Sequence, residues 1–217
     1  MAARRKPAQL GRRVPRLYLV TPQDCSGLAP ALSDTLAVAD IAAVLLRLPA
    51  AEESEQIEHV RRVAPAVHDK GAALLLDGHA QLVARAGADG AHLRGVEALT
   101  AAISSLQPDY IAGCGALASR HDAMVAGEAG ADYLMFGDMG PDGERTFDDV
   151  AERIAWWAEL FEVPCVGFAS SLDEVEALAT AGADFVALGD WAFSDRRGLP
   201  AAVAEAARLL EMAEAAA

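Results

Sequence analysis

Basic residues are scarce in this chain of 217 residues, which has 18 Lys and Arg against 32 Asp and Glu and a formal net charge of −14. Proteins that bind nucleic acids or anionic membranes usually present a basic face. The composition therefore argues against both kinds of partner. Positions 1–16 are the one markedly basic segment, and they contain no apolar run long enough for a signal peptide or a membrane span. We expect positions 1–15 to form a flexible tail, or else a lid over the bottom of the barrel.

Cysteine is also rare. The three cysteines, Cys25, Cys114 and Cys165, are widely spaced and odd in number. Neither a disulfide framework nor a metal site with paired cysteines fits that spacing. The pattern is typical of a protein kept in a reducing compartment, and it predicts a cytoplasmic location.

A short segment is repeated along the chain. It reads AGADGAHL at 86–93, AGADYLMF at 129–136 and AGADFVAL at 181–188, with a weaker copy, ADIAAVLL, at 39–46. Each of the three clear copies joins the end of an apolar helical run to a short apolar strand through a glycine suited to a left-handed helix cap. Repeated helix-to-strand junctions predict alternating strands and helices, and hence a parallel sheet.

Eight strands are predicted, at 16–21, 43–47, 73–77, 90–93, 110–113, 133–137, 164–167 and 185–189. Helices are predicted between and after them, at 30–38, 52–69, 80–86, 96–106, 119–129, 147–161, 172–181 and 199–213. The strands are apolar on both faces, which indicates that both faces of the sheet are covered. We therefore expect residues 16–217 to form one α/β domain, a (β/α)8 TIM barrel.

A barrel of this kind places its chemistry at the carboxyl ends of the strands, which we call the mouth. Lysine occurs only as Lys6 and Lys70, and neither position follows a predicted strand. Schiff-base chemistry at the mouth is therefore excluded.

His92, within strand four, is expected to be a core residue, whereas His79 lies at the mouth beside Asp77 and is a better candidate for binding. Trp156 and Trp157 in helix six are expected to pack against the barrel or a second subunit, so a homo-oligomer remains open.

Four segments taken together resemble thiamine phosphate synthase: YLVT at 18–21, GADGAHL at 87–93, GADYLMFG at 130–137 and GAD at 182–184. The resemblance extends from about Arg16 to Phe193. It implies a transferase of thiamine biosynthesis that couples a pyrimidine methyl diphosphate with thiazole phosphate, requires Mg2+ and releases pyrophosphate. The expected ligand is a small phosphorylated heterocycle.

Several positions depart from the pattern that this resemblance implies. The Gln-Leu-Arg-x-Lys segment after strand two becomes LLRLP at 45–49, so the diphosphate-binding Arg47 remains without the amide and the lysine. The two metal carboxylates fall on Asp77, one place early, and on Glu97. These two could hold Mg2+ weakly, or they could simply cap the helices that follow. The Ser-Thr-His segment after strand five becomes ALA at 116–118, and the lid at 137–145 is acid-rich.

The phosphate-binding turns after strands seven and eight are altered too. The resemblance assigns phosphate binding to the region of Gly167, Ser170, Ser171, Gly189 and Asp190, and Asp190 stands where the family has serine. A carboxylate there opposes phosphate unless an arginine, Arg196 or Arg197, compensates.

Two functions are therefore open. One is a thiamine phosphate synthase reaction that is weak or absent, because the site is degenerate. The other is a non-catalytic relative of the family, with a role in binding, regulation or assembly.

Overall fold

The computed structural model describes residues 14–23, 27–138 and 146–215, and the predicted barrel is present. Eight parallel strands close in chain order, with β8 pairing β1. Their bounds are β1 Arg16–Val20, β2 Ile41–Leu46, β3 Ala73–Asp77, β4 Gly90–Arg94, β5 Ile111–Gly115, β6 Tyr133–Phe136, β7 Cys165–Ala169 and β8 Phe185–Leu188. All eight predicted strands are confirmed. Residues 1–13 of the predicted tail at 1–15, Cys25 and the segment 139–145 lie outside the described residues.

Helices connect the strands. Their bounds are α1 Leu28–Thr35, α2 Glu53–His68, α3 Val83–Ala86 after a 3-10 turn at Ala80–Leu82, α4 Val96–Leu106, α5 Arg120–Glu128, α6 Phe147–Leu160, α7 Asp173–Ala181, α8 Asp190–Phe193 and α9 Leu199–Ala215. The short helix α8, directly after β8, was not predicted. Within the described residues, no helix is long and apolar enough to cross a membrane.

The strands bury both of their faces, as their continuous apolar sequence predicts. Side chains alternate between the two faces along each strand. One set, including Leu19, Val44 and Leu74, packs outward against the helices. The other set, including Val20, Leu45 and Leu75, fills the interior of the barrel. This alternation decides which polar residues reach the mouth from inside.

The repeated junctions lie at the end of the barrel opposite the mouth, and their aspartates explain the repeat. The carboxylate of Asp89 accepts a hydrogen bond from the Leu74 amide at 2.7 Å. Asp132 and Asp184 accept in the same way from Ala112 and Cys165, each at 2.8 Å. Each aspartate therefore ties its own strand to the neighbouring strand at the point where the pairing begins.

The weaker fourth copy makes a different contact. The carboxylate of Asp40 pairs with the guanidinium of Arg16 on β1, with N–O distances of 2.7 and 2.8 Å. Strand β2 begins at Ile41, two residues earlier than predicted, because Ile41 pairs with Leu17 of β1. The fourth junction therefore also joins two neighbouring strands, with an ion pair in place of the hydrogen bond from a backbone amide.

The two tryptophans of α6 have different surroundings. Trp157 is buried, stacks on Phe161 and donates its indole N–H to the Val163 carbonyl at 2.7 Å. Trp156 is only partly covered, and the guanidinium of Arg120 lies 5.0 Å from its ring centre. Packing against the barrel therefore accounts for Trp157.

Candidate functional site

Three charged residues face into the mouth from neighbouring strands. Arg47 directly follows β2, Asp77 ends β3 and Arg94 ends β4. Each lies two residues after an inward-facing side chain of its own strand, so the alternation brings all three to one level of the barrel interior. The amide of Arg47 is also held by the hydroxyl of the buried Thr21, at 3.1 Å.

These residues form a continuous row of ion pairs that reaches β8. Arg94 approaches both carboxylate oxygens of Asp77, at 3.2 and 3.3 Å. Nε of Arg47 lies 3.5 Å from Oδ2 of Asp77, and Nη1 of Arg47 lies 3.5 Å from the carboxylate of Asp190. We call Arg94, Asp77, Arg47 and Asp190 the ion-pair row. Two positive and two negative charges therefore balance one another along this side of the mouth.

The ion-pair row bears on the predicted metal site. Both oxygens of Asp77 already face guanidinium groups, and Glu97 is an exposed residue in the first turn of α4. No cluster of three or more potential metal ligands occurs in the part of the chain that the structure describes. A divalent cation would have to displace two arginines from Asp77, so the residues present do not fit a tight Mg2+ site. The alternative helix-cap role is wrong for Asp77, which pairs with arginines instead.

A second polar group crosses the barrel interior. The hydroxyls of Tyr18 and Tyr133 lie 2.8 Å apart, and the Tyr133 hydroxyl lies 2.9 Å from Nδ1 of His92. His92 is buried as predicted, with 1% of its surface exposed. Its other nitrogen, Nε2, has no hydrogen-bond partner among the described residues and lies 3.7 Å from the carboxylate of Asp138. Burial raises the pKa of both tyrosines, which keeps their hydroxyls protonated.

Asp138 stays ionised although it is buried. Burial raises the pKa of its carboxyl, but the neighbouring His92 ring, the Ala116 amide and the Arg94 guanidinium outweigh burial and lower it. Both carboxylate oxygens accept from the Ala116 amide, at 2.9 and 3.0 Å. A glycine at 115 is required, because a Cβ atom there would lie 2.6 Å from Nε2 of His92. A carboxylate beside an imidazole can hold or transfer a proton at the mouth.

The turns after β7 and β8 form the predicted phosphate-binding region, which we call the cradle and define as 170–172 and 189–191. Its first amide is already occupied, because the Ser170 N–H donates to the carboxylate of Glu174 at 2.6 Å. Its second turn is covered, because the ring of Phe168 lies 2.5 Å from the position that a Cβ atom of Gly189 would take. The indole of Trp191 donates to the Ala169 carbonyl at 2.9 Å and ties the two turns together.

The predicted site residues do not form one cluster, and three of them, Ser170, Ser171 and Gly189, belong to the cradle. The ion-pair row joins three candidates, Arg47, Asp77 and Asp190. Gly167 faces away from the mouth, since a Cβ atom there would lie 3.0 Å from Leu178 of α7. His79 is a half-buried residue that precedes the 3-10 turn and makes no side-chain cap.

The cation beside Asp190 is not the one that the sequence suggested. Arg197 pairs with Asp195 at 2.9 Å, and Arg47 takes the place beside Asp190. The sequence interpretation also missed the contacts of Tyr133 and Glu174.

Comparisons with known proteins agree with this architecture. Residues 17–190 match the family model described as thiamine monophosphate synthase. The thiamine-phosphate synthase of Rhodospirillum centenum is 37% identical over 201 residues, which cover 90% of this chain and 97% of that protein. The thiamine-phosphate synthase of Hyphomonas neptunium is 35% identical over 87% of this chain and 90% of that protein.

A solved structure is similar over almost the whole chain. Thiamine phosphate pyrophosphorylase from Pyrococcus furiosus superimposes with a TM-score of 0.79 over 93% of this chain and 98% of that chain. The two are 20% identical in sequence, so this similarity by itself shows only the fold. Taken with the family model and the two relatives, it leaves one assignment: the chain belongs to the thiamine monophosphate synthase family.

Proposed function

We propose that this family member binds a small heterocycle at the mouth of the barrel but couples hydroxymethylpyrimidine diphosphate with thiazole phosphate slowly or not at all. The observation that carries the proposal is the position of Arg47, the one cation that remains from the diphosphate-binding segment. Its guanidinium lies 3.5 Å from each of two carboxylates, those of Asp77 and Asp190. A diphosphate would have to compete with both for the same cation.

The other replacements add to this effect. Leu45 and Pro49 stand where the resemblance implies an amide and a lysine, and Ala116 stands where it implies a serine. Hydrogen bonds to charged groups contribute about 1.5–3 kcal/mol each. Losing the lysine and the serine together, with Arg47 occupied, corresponds to several powers of ten in the rate of a reaction that depends on these contacts.

The resemblance implies that the reaction requires Mg2+. Binding of Mg2+ is also opposed by the arginines of the mouth. Asp77 is the carboxylate nearest to the expected ligand position, and it is paired with Arg47 and Arg94. We therefore propose that a divalent cation competes with these arginines and binds weakly. Titration with Mn2+, followed by its paramagnetic signal, should show weak binding that an Asp77→Ala, Glu97→Ala double variant abolishes. Tight binding that survives the double variant would place the metal elsewhere.

The coupling reaction tests the proposal directly. Purified protein, both substrates and Mg2+ are incubated and thiamine phosphate is measured by chromatography, with the R. centenum protein as a positive control. We expect a rate at least about a hundredfold below that control. A Pro49→Lys, Asp190→Ser variant, which restores two residues of the family pattern, should raise it. A wild-type rate equal to that of the control would refute the degenerate site. No turnover together with ligand binding would favour the non-catalytic role.

A further inference from the structure

We propose that Asp138 is a specificity-determining residue that accepts hydrogen bonds from an amino-substituted heterocycle at the mouth, with His92 as its partner in the barrel interior. The proposal deepens the proposed function, since it rests on the mouth binding a small heterocycle. It adds the chemical class of that heterocycle, an aromatic ring that carries an amino group, and it names the side chain that recognises the amino group.

The carboxylate of Asp138 lies inside the barrel, above two glycines of β5. A Cβ atom at Gly115 would collide with both Asp138 and His92, and a Cβ atom at Gly113 would collide with the ring of Tyr133. Two successive inward-facing positions of β5 therefore carry no side chain. This leaves room at the mouth for Asp138, whose side chain is 6% exposed, to meet His92.

The hydrogen bonds behind Asp138 run in one direction. Nε2 of His92 faces the ionised carboxylate of Asp138 at 3.7 Å, and a lone pair there would be repelled, so this nitrogen carries its hydrogen. A neutral imidazole with its hydrogen on Nε2 accepts a hydrogen bond at Nδ1. Its donor is the hydroxyl of Tyr133, which in turn accepts from the hydroxyl of Tyr18. The interior of the barrel therefore directs an N–H group at Asp138.

This N–H group and the carboxylate both have hydrogen-bonding capacity left. Nε2 of His92 is buried without a partner among the described residues, and 3.7 Å is too long for a hydrogen bond. Within the same residues, the carboxylate accepts only from the Ala116 amide, although its two oxygens can accept several hydrogen bonds. Asp138 also lines a small cavity together with Ala116 and Met135. Buried polar groups of this kind need a further partner.

The surroundings of Asp138 favour a flat donor as that partner. The lowered pKa of its carboxyl keeps it ionised near neutral pH, so it repels an anion and attracts N–H donors. Two carboxylate oxygens match an amino group and the protonated ring nitrogen beside it, as they match the two parallel N–H groups of an arginine. The interior layer below the mouth is apolar and includes Tyr133, Met135 and Leu75. Such a surface suits an aromatic ring.

This carboxylate departs from the family pattern, in which the resemblance implies a proline at position 138. A simpler explanation is that Asp138 only stabilises the turn after β6 through the Ala116 amide. Under that explanation, replacing Asp138 changes the melting temperature and has the same effect on ligands with and without an amino group. Under the proposal, the preference for the amino group itself is lost. The two explanations therefore predict different ratios of affinities.

The experiment compares two ligands on the full chain by calorimetry. One is hydroxymethylpyrimidine without its diphosphate, which carries an amino group on its ring, and the other is the analogue with hydrogen in place of that amino group. We expect the wild type to bind the amino compound at least about tenfold more tightly than the analogue, as expected for hydrogen bonds to a charged acceptor. Asp138→Ala should abolish this preference. Asp138→Asn, which keeps one acceptor oxygen without the charge, should retain only a small part of it.

Asp148→Asn is the matched control, because it makes the same change at an exposed residue in the first turn of α6. It should keep the wild-type preference. The readout is a ratio of two affinities measured on one protein, so partial unfolding of a variant does not change it. A wild type that binds both compounds equally, or does not bind the amino compound, would overturn the proposal. So would a preference that persists in both Asp138 variants.

The comparison is also independent of the coupling reaction, since neither ligand carries a phosphate and no second substrate is present. Turnover at the rate of the R. centenum control would refute the slow coupling that we propose and would leave the ratio of affinities as the test of Asp138. The two failures are therefore distinguishable.

Discussion

Replacing Asp190 by serine, the residue that the family pattern has at this position, should improve the binding of thiazole phosphate by a modest and predictable factor. Asp190 is the first residue of α8, and its side chain is 68% exposed. Its carboxylate lies 3.5 Å from the guanidinium of Arg47. The substitution removes a negative charge from the cradle and releases Arg47 from one of its two partners.

The exposure of Asp190 sets the size of the effect. Two like charges 4 Å apart repel by about 4 kcal/mol at an effective dielectric constant of 20 and by about 1 kcal/mol in water. Because Asp190 is two-thirds exposed and paired with Arg47, the lower value applies. About 1 kcal/mol corresponds to roughly a fivefold gain in affinity. From the sequence, Asp190 was expected to oppose phosphate unless an arginine compensates, and its exposure and its pairing with Arg47 make the expected repulsion small.

Calorimetry near neutral pH, at low and at physiological salt, measures the effect. The wild type should not bind thiazole phosphate at micromolar concentration, and Asp190→Ser should improve the affinity more at low salt, because salt screens exposed charges. Asp109→Ser, the same change just before β5 at the opposite end of the barrel, is the control and should have no effect. Tight binding by the wild type that Asp190→Ser weakens would refute this reasoning and make Asp190 a ligand-binding residue.

Three further predictions concern stability. Gly115→Ala should destabilise the fold by about 1–3 kcal/mol, measured by denaturant unfolding, because its Cβ atom would lie 2.6 Å from Nε2 of His92. Asp132→Ala leaves the Ala112 amide without its acceptor and should cost about 1–3 kcal/mol in the same assay. Asp138 has a lowered pKa in the folded state, so its contribution to stability is complete above the unfolded pKa and is lost as the pH falls below about 4. Asp138→Asn should remove that part of the acid dependence.

Each of these stability predictions would be contradicted by a specific experimental result. Asp109→Ala, an exposed substitution at the same end of the barrel as the junctions, should leave the free energy of unfolding within about 0.5 kcal/mol of the wild type. If Asp132→Ala behaves in the same way, the junction aspartates do not tie the strands together. A Gly115→Ala protein of wild-type stability would show that Asp138 and His92 do not meet above residue 115. Acid unfolding that is unchanged in Asp138→Asn would mean that other carboxyl groups control it.

The fold could be predicted from the sequence because its signals are local and repeated. The junction at 86–93 contains its own glycine cap, aspartate and strand, and two further clear copies fix the period of the barrel. Each strand was predicted from a short apolar run. Helix α8 was missed because its four residues, Asp190–Phe193, are too few to give a helical pattern.

The site could be predicted only in part, because its contacts join residues that are distant in sequence. Asp77 and Asp190 lie at the mouth, as expected from the sequence. Their pairing with Arg47 depends on the relative positions of the ends of β2, β3 and β8, which are far apart in the sequence. The contact between Tyr133 and His92 spans 41 positions of the chain. Glu174 is only four residues from Ser170, yet the turn conformation that joins them carries no recognisable sequence pattern.

The junction aspartates Asp89, Asp132 and Asp184 lie at the end of the barrel opposite the candidate functional site. Their hydrogen bonds fasten the strands at one end of the barrel, while the ion-pair row and the cradle lie at the other. Substitutions in the ion-pair row or the cradle therefore leave the hydrogen bonds of the junction aspartates in place. The same separation makes the barrel a usable scaffold for engineering, since residues at the mouth can be exchanged as a set while the fastened end stays unchanged.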